Sequence, residues 1–276
     1  MSLHPNQYRL VTRSDFDGLV CAVLLRELNL INEIKFAHPK DMQDGKIEIT
    51  SHDITANLPY VSGAHLVFDH HMSEIIRHED IYHKEGHVFD ASAPSTARLI
   101  YDHFGGSTRF PQISEVMMAA VDKSDSAQLS IEEVLEPKGW ILLSFIMDSR
   151  TGLGRFKDFR ISNYDLMMDL VEYCRTYTID EILQLPDVKE RVDLYFEHEH
   201  SFKTQIVHCS QVYDPLVVLD LRHEQPIYPG NRFMIYAMYP HCNISIYALP
   251  GLNQKIPCLP LVNQFSTAPR RCLLEN

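Results

Sequence analysis

The sequence predicts an α/β fold: a parallel sheet with helices on both faces, then a helical connector and a smaller, partial α+β unit. Three observations carry this. Short β-like runs alternate with helical patterns through the first half, the order of a parallel sheet with crossover helices. The middle of the chain reads as mostly helical. From Gln205 onwards, apolar β-rich runs return, separated by Pro, Gly and Asn.

Taken in order, Tyr8–Thr12 reads as a strand and Gly18 to Leu28 as an apolar-rich helix. Ile34–His38, Lys46–Ser51 and Ala64–Asp69 read as further strands. Ser92–Phe104 looks like a capped helix, with Ser92 or Ser95 available as the cap. Helical patterns follow over Ser114 to Asp122, Asn163 to Cys174, Ile179 to Leu185 and Asp187 to Lys203. The last is polar enough to be a partly exposed connector. His198 and His200 within it are two residues apart and do not share a helix face. The runs QIVHC (205–209), LVVLDL (216–221), FMIYAMYP (233–240) and NISIYALPG (243–251) read as the sheet of the smaller unit. The division expected is 1–185 for a first, metal-binding domain, 186–204 for a connecting helix and 205–276 for a partial second domain.

Bulk properties narrow the function classes. The chain has 276 residues, 45% hydrophobic and 22% charged, which is ordinary for a globular protein. A formal charge of −12 argues against a broad nucleic-acid-binding face but leaves room for a short oligonucleotide or a phosphorylated small molecule. Six scattered cysteines without a CxxC pair suit reduced thiols in a cytoplasm rather than a disulfide framework or zinc site. Neither a signal peptide nor a membrane span is read.

The chemistry is concentrated where predicted elements end. SDFDG supplies Asp15 and Asp17, SHD supplies Asp53, FDHH supplies Asp69, His70 and His71, and AVDKSD supplies Asp122 and Asp125. In a parallel sheet the ligand site gathers beyond the carboxyl ends of the strands, so these groups can converge. Clustered carboxylates repel one another unless a cation neutralises them. Carboxylates with neutral imidazole suit Mn²⁺, with Mg²⁺ as the harder alternative and Zn²⁺ or Fe²⁺ also open. Two cations roughly 3.5–4 Å apart sharing a carboxylate is the arrangement of two-metal phosphoesterases, where the metals polarise phosphoryl oxygens and make a water nucleophilic.

With these motifs in this order, the chain resembles the DHH phosphoesterase superfamily, and within it the exopolyphosphatase-related proteins, AVDKSDSAQ (120–128) being the supporting stretch. The resemblance implies metal ligation by Asp15 at a first site and by Asp17 at a second. It implies that Asp53 bridges the two metals, and that His70 and Asp122 complete the second site. His71 would stand beside the scissile phosphate, and Asp69 would orient an imidazole, with Asp125 a reserve ligand. It also carries the expectation of a homodimer.

Two departures stand against that pattern. The family commonly has a histidine four residues before its first acid; Val11 occupies that position, and Arg13 follows. The family's Gly-rich phosphate-binding tail is also missing. One codon string for a family-like Gly-Gln-Ser-Ile-Phe-Asn-Arg-Thr-Ala-Lys, read without its first base, gives Val-Asn-Gln-Phe-Ser-Thr-Ala-Pro-Arg, the run from Val262 to Arg270. A frameshift near Leu261 is therefore expected. The function expected is a metal-dependent phosphohydrolase or phosphodiesterase. Its candidate substrates are polyphosphate, 3′-phosphoadenosine 5′-phosphate, a short oligonucleotide or a cyclic dinucleotide. The alternative is a binding protein that kept the fold and lost turnover.

Overall fold

The computed structural model describes residues 7–72, 86–156 and 158–250, with the backbone of 261–263. The altered tail after Asn263 lies outside the described residues. The first unit is a five-stranded parallel sheet in the order β2-β1-β3-β4-β5, formed by β1 (Tyr8–Arg13), β2 (Ile31–Ala37), β3 (Asp53–Ala56), β4 (Leu66–Asp69) and β5 (His87–Phe89). Strands 2 and 3 lie on opposite sides of β1. The direction of winding therefore reverses between β1 and β3, and a crevice opens beyond their carboxyl ends.

The central helix is α1 (Phe16–Glu27), ten of whose twelve residues are buried. It lacks a polar face because it packs on β1 and β2 and against α3 (Thr96–His103), α5 (Glu115–Asp125) and α8 (Asn163–Thr176). Each fully buried Leu or Val contributes roughly 1.5–3 kcal/mol. Leu10 faces this core, whereas Val11, one residue on, joins Ala37, Met42 and Leu58 in a separate apolar cluster. That second cluster is closed by the short α2 (Pro39–Gln43). Gly18 makes the β1–α1 turn possible, since a Cβ there would meet the carbonyl oxygen of Arg13 at 1.9 Å.

The remaining helices are α4 (Gly106–Arg109), α6 (Ile131–Leu135), α7 (Gly139–Met147), α9 (Ile179–Gln184), α10 (Pro186–Glu197) and α11 (Glu199–Cys209). A mixed sheet follows, β6 (Ser210–Tyr213), β7 (Leu216–Asp220), β8 (Ile244–Ala248) and β9 (Leu261–Asn263), with α12 (Met234–Met238) between β7 and β8.

Several expected elements differ. Lys46–Ser51 alternates like a strand but forms none; Ile47 and Ile49 pack instead on the Val11 cluster. The strand begins at Asp53, so its carboxyl end is Ala56, with Asn57 next in the chain, and not Asp53. The predicted Asp187–Lys203 helix is two helices broken at His198. Gln205–Cys209 continues α11, where Ile206 is buried among apolar neighbours. FMIYAMYP forms α12, because Met234, Ile235 and Tyr236 are buried together in the second core. The apolar GWILLSFIM stretch, not assigned from the sequence, is α7.

The two units are stitched together. Gly230 N–H donates to the Thr151 carbonyl at 2.9 Å. The buried Asn231 amide donates to the Tyr195 hydroxyl at 2.8 Å and to the Val134 carbonyl at 3.2 Å. Gly230 is required there, because a Cβ would fall 2.0 Å from the Phe202 ring.

Candidate metal centre and phosphate cleft

Asp15 caps α1, its Oδ1 accepting the Gly18 N–H at 3.0 Å. Asp17, in the first turn of α1, is buried and points across to α3, accepting the Thr96 and Ala97 N–H groups at 3.1 and 2.7 Å. A helix N-terminus suits a carboxylate there. Burial and the nearby Asp125 charge nevertheless raise Asp17 to about 7, so two acids share one confined volume.

His70 and His71 follow β4 and divide immediately. His70 holds the Ala93 carbonyl at 2.9 Å through Nδ1, which directs Nε2 into the crevice. That Nε2 lies 2.9 Å from Asp125 Oδ2. That nitrogen is buried, and Asp125 is its neighbour in the crevice. Burial lowers its basicity, but the Asp125 carboxylate outweighs this and lifts His70 to about 9. His71 turns the other way, with Nδ1 2.7 Å from Oδ1 of the buried Asp69. Burial opposes the charged form of His71, and Asp69 overcomes it, so its pKa is raised.

One donor atom each from Asp17, His70 and Asp125 lies within 4.8 Å of the others. Two carboxylates and one imidazole, its buried Nε2 facing them and its ring fixed from behind, match the donor set of a divalent cation. Asp125 is thus brought to the position expected for Asp122. Asp122, one turn earlier on α5, is held away by Ser95 Oγ at 2.8 Å and by Arg98 Nε and Nη2 at 2.9 and 2.7 Å. Asp53 is not brought to the cluster either. It lies at the amino end of β3, across the sheet from the crevice, with Arg9 Nε 2.6 Å from Oδ1 and Thr50 N–H on Oδ2. Burial alone would raise its pKa; Arg9 and Thr50 hold it below the usual carboxylate value.

An open cleft lies over Asp15, Asp17 and Asp125. Arg150 and Arg232 stand on its other side, sharing Asp148, whose oxygens lie 2.8 Å from Arg150 Nε and 3.6 Å from Arg232 Nε. Two guanidiniums against one carboxylate leave unbalanced positive charge facing the acids. Burial and the neighbouring Arg150 lower Arg232 to about 10, while its plane rests 4.2 Å from the Phe233 ring centre. Asn57, Arg150 and Arg232 were not singled out in the sequence: a neutral amide carries no metal signal, and the arginines are far apart along the chain.

No family profile and no curated protein matched this sequence. Among solved structures, the chain is similar to "pGpG-specific phosphodiesterase – PggH" from Vibrio cholerae, with 56% identity and a TM-score of 0.82, covering 94% of this chain and 83% of that one. An uncharacterised protein from Helicobacter pylori G27 shares 8% identity at a TM-score of 0.30, too slight to inform fold or site. At 56% identity over nearly the whole chain, this protein belongs to the phosphodiesterase family represented by that Vibrio enzyme.

Proposed function

We propose that this phosphoesterase is a metal-dependent, DHH-type phosphodiesterase that cleaves a short 5′-phosphorylated dinucleotide of the pGpG class into mononucleotides. The observation that carries the metal reading is the convergence of one donor atom each from Asp17, His70 and Asp125 within 4.8 Å. Mn²⁺ suits that mixed oxygen and nitrogen donor set, with Mg²⁺ the alternative. The cation, when bound, supplies charge that draws electron density from the phosphoryl group.

The chain's own groups do the rest. Arg150 and Arg232 face the acids across the cleft and suit the terminal 5′-phosphate, which places the internal phosphodiester toward Asp17 and Asp125. Water adds to phosphorus and the bond to the 3′ oxygen breaks. That oxygen needs a proton as it leaves. His71, whose protonated form Asp69 favours, is the group that supplies it. The expected division at 185 and 204 then separates the metal groups from Arg232, so the substrate lies between them.

The test is mononucleotide release from pGpG, longer oligonucleotides and polyphosphate with Mn²⁺ and with chelator. Release from pGpG is expected only with the cation. His71→Ala should slow it by about 10²–10⁴, the range for removing a general acid. Equal release in chelator, or polyphosphate cleaved in preference, would overturn the proposal.

A further inference from the structure

We propose that this site works with one divalent cation, and that the Arg13 guanidinium stands where a two-metal site would hold its other cation. The inference rests on the metal reading above and concerns how many ions that site takes.

The residues around Asp15 do not fit a second ion. Its Oδ1 accepts from Gly18 N–H at 3.0 Å and from Asn57 Nδ2 at 2.9 Å, and its Oδ2 lies 3.0 Å from Arg13 Nε. Three protein donors therefore surround the carboxylate. A second ion would have to displace a cationic side chain and turn the Asn57 amide away. The other positions from which ligands could come are also closed. Val11, four residues before Asp15, has no ligating atom and packs with Ala37, Met42 and Leu58. Just past the carboxyl end of β3, where a bridging acid would sit, the residue is Asn57. Asp53 is held by Arg9 at the far end of the same strand.

Charge balance agrees. Asp15, Asp17 and Asp125 bring three negative charges, which one divalent ion and Arg13 neutralise. A second ion would leave a surplus of one positive charge if it displaced Arg13 and of two if it did not, before any substrate enters, in a site already facing Arg150 and Arg232. Uncompensated charge in a partly buried site is strongly unfavourable. Asn57 is held with a backbone φ of +56°, buried, and its Oδ1 has no partner. Asn57→Asp would put charge on that oxygen. An Asp is tolerated at such a φ nearly as well as Asn.

The experiment counts ions. Equilibrium dialysis against Mn²⁺, read by electron paramagnetic resonance, should give one ion per wild-type chain, with the sharp spectrum of an isolated ion. Asp125→Asn should abolish it. The double variant Arg13→Ala with Asn57→Asp should take up two ions and show the broadened signal of a coupled pair. Arg13→Ala alone should still bind one ion while losing about 10-fold or more in turnover, partly restored in Arg13→Lys. A circular dichroism melt of each variant confirms that it is folded; if the double variant is not, Asn57→Asp alone serves, with a weaker second site expected. Two ions in the wild type, or a folded double variant that stays at one, would overturn the inference and leave the metal reading standing. No bound ion in the wild type would overturn both.

Discussion

Asp125 and Asp122 show how much one helical turn decides. They share a helix and a charge, yet one lies 2.9 Å from His70 Nε2 and the other is held by Arg98 and Ser95. Asp125→Asn is expected to remove Mn²⁺ binding by calorimetry, whereas Asp122→Asn should chiefly lower thermal stability. The metal-free site also predicts a pH dependence. His70 is raised to about 9 in the folded chain, above its ordinary value near 6.5. Its stabilising contribution is therefore complete below about pH 6.5 and lost as pH rises toward 9. Asp17, raised to about 7, acts in the same direction, since the unfolded chain gives up that proton at lower pH. In chelator the melting temperature should fall between pH 6.5 and 9. Saturating Mn²⁺ should offset that fall, because the cation binds neutral imidazole. A flat profile in chelator would refute this.

At the scale of elements, α3 is the part on which the metal centre leans. Its first N–H groups hold Asp17, and its cap, Ser95, both accepts the Arg98 N–H at 3.0 Å and reaches Asp122. Ser95→Ala should cost about 1–2 kcal/mol in denaturant unfolding and weaken Mn²⁺ binding, although Ser95 is not a ligand. Arg191 on α10 plays a structural part. Its guanidinium is buried, rests 4.1 Å from the Phe159 ring and donates to the carbonyls of Asp187 and Ile161. Arg191→Ala should cost about 3 kcal/mol by the same measurement and leave the ion count unchanged. Elements also show what the sequence could convey. The strands β1 and β4 were legible because their apolar runs stop at polar groups. Asp53 was misplaced because KIEITS imitates a strand one element early, which made its end look like a site. The end of α11, Gln205–Cys209, and α12 were read as strands because aromatic and β-branched runs do not reveal whether one face or all faces will be buried.

For the whole molecule, a fold class of parallel sheet plus smaller mixed sheet could be read from the order of patterns alone. The cleft could not, because it is made by residues far apart in the chain that meet only when the second core docks on the first. Asn231 governs that docking, and Asn231→Ala would strand the Tyr195 hydroxyl and the Val134 carbonyl. A loss of about 2 kcal/mol is expected. A rise in KM for pGpG, with Mn²⁺ affinity unchanged, would separate this effect from damage to the metal centre.

The same stitch has a consequence for length selection. Arg232 follows Asn231 directly, so the arm proposed to meet the far phosphate is bolted to the frame beside Gly230 and Thr151. The span from that arm to Asp17 and Asp125 then works as a fixed gauge. Under the proposed function, a molecule whose two phosphates are one nucleoside apart is the expected match, and release of mononucleotides from a longer strand should be slower. Selection of this kind measures distance before it reads bases, and it should persist when guanine is exchanged for another purine.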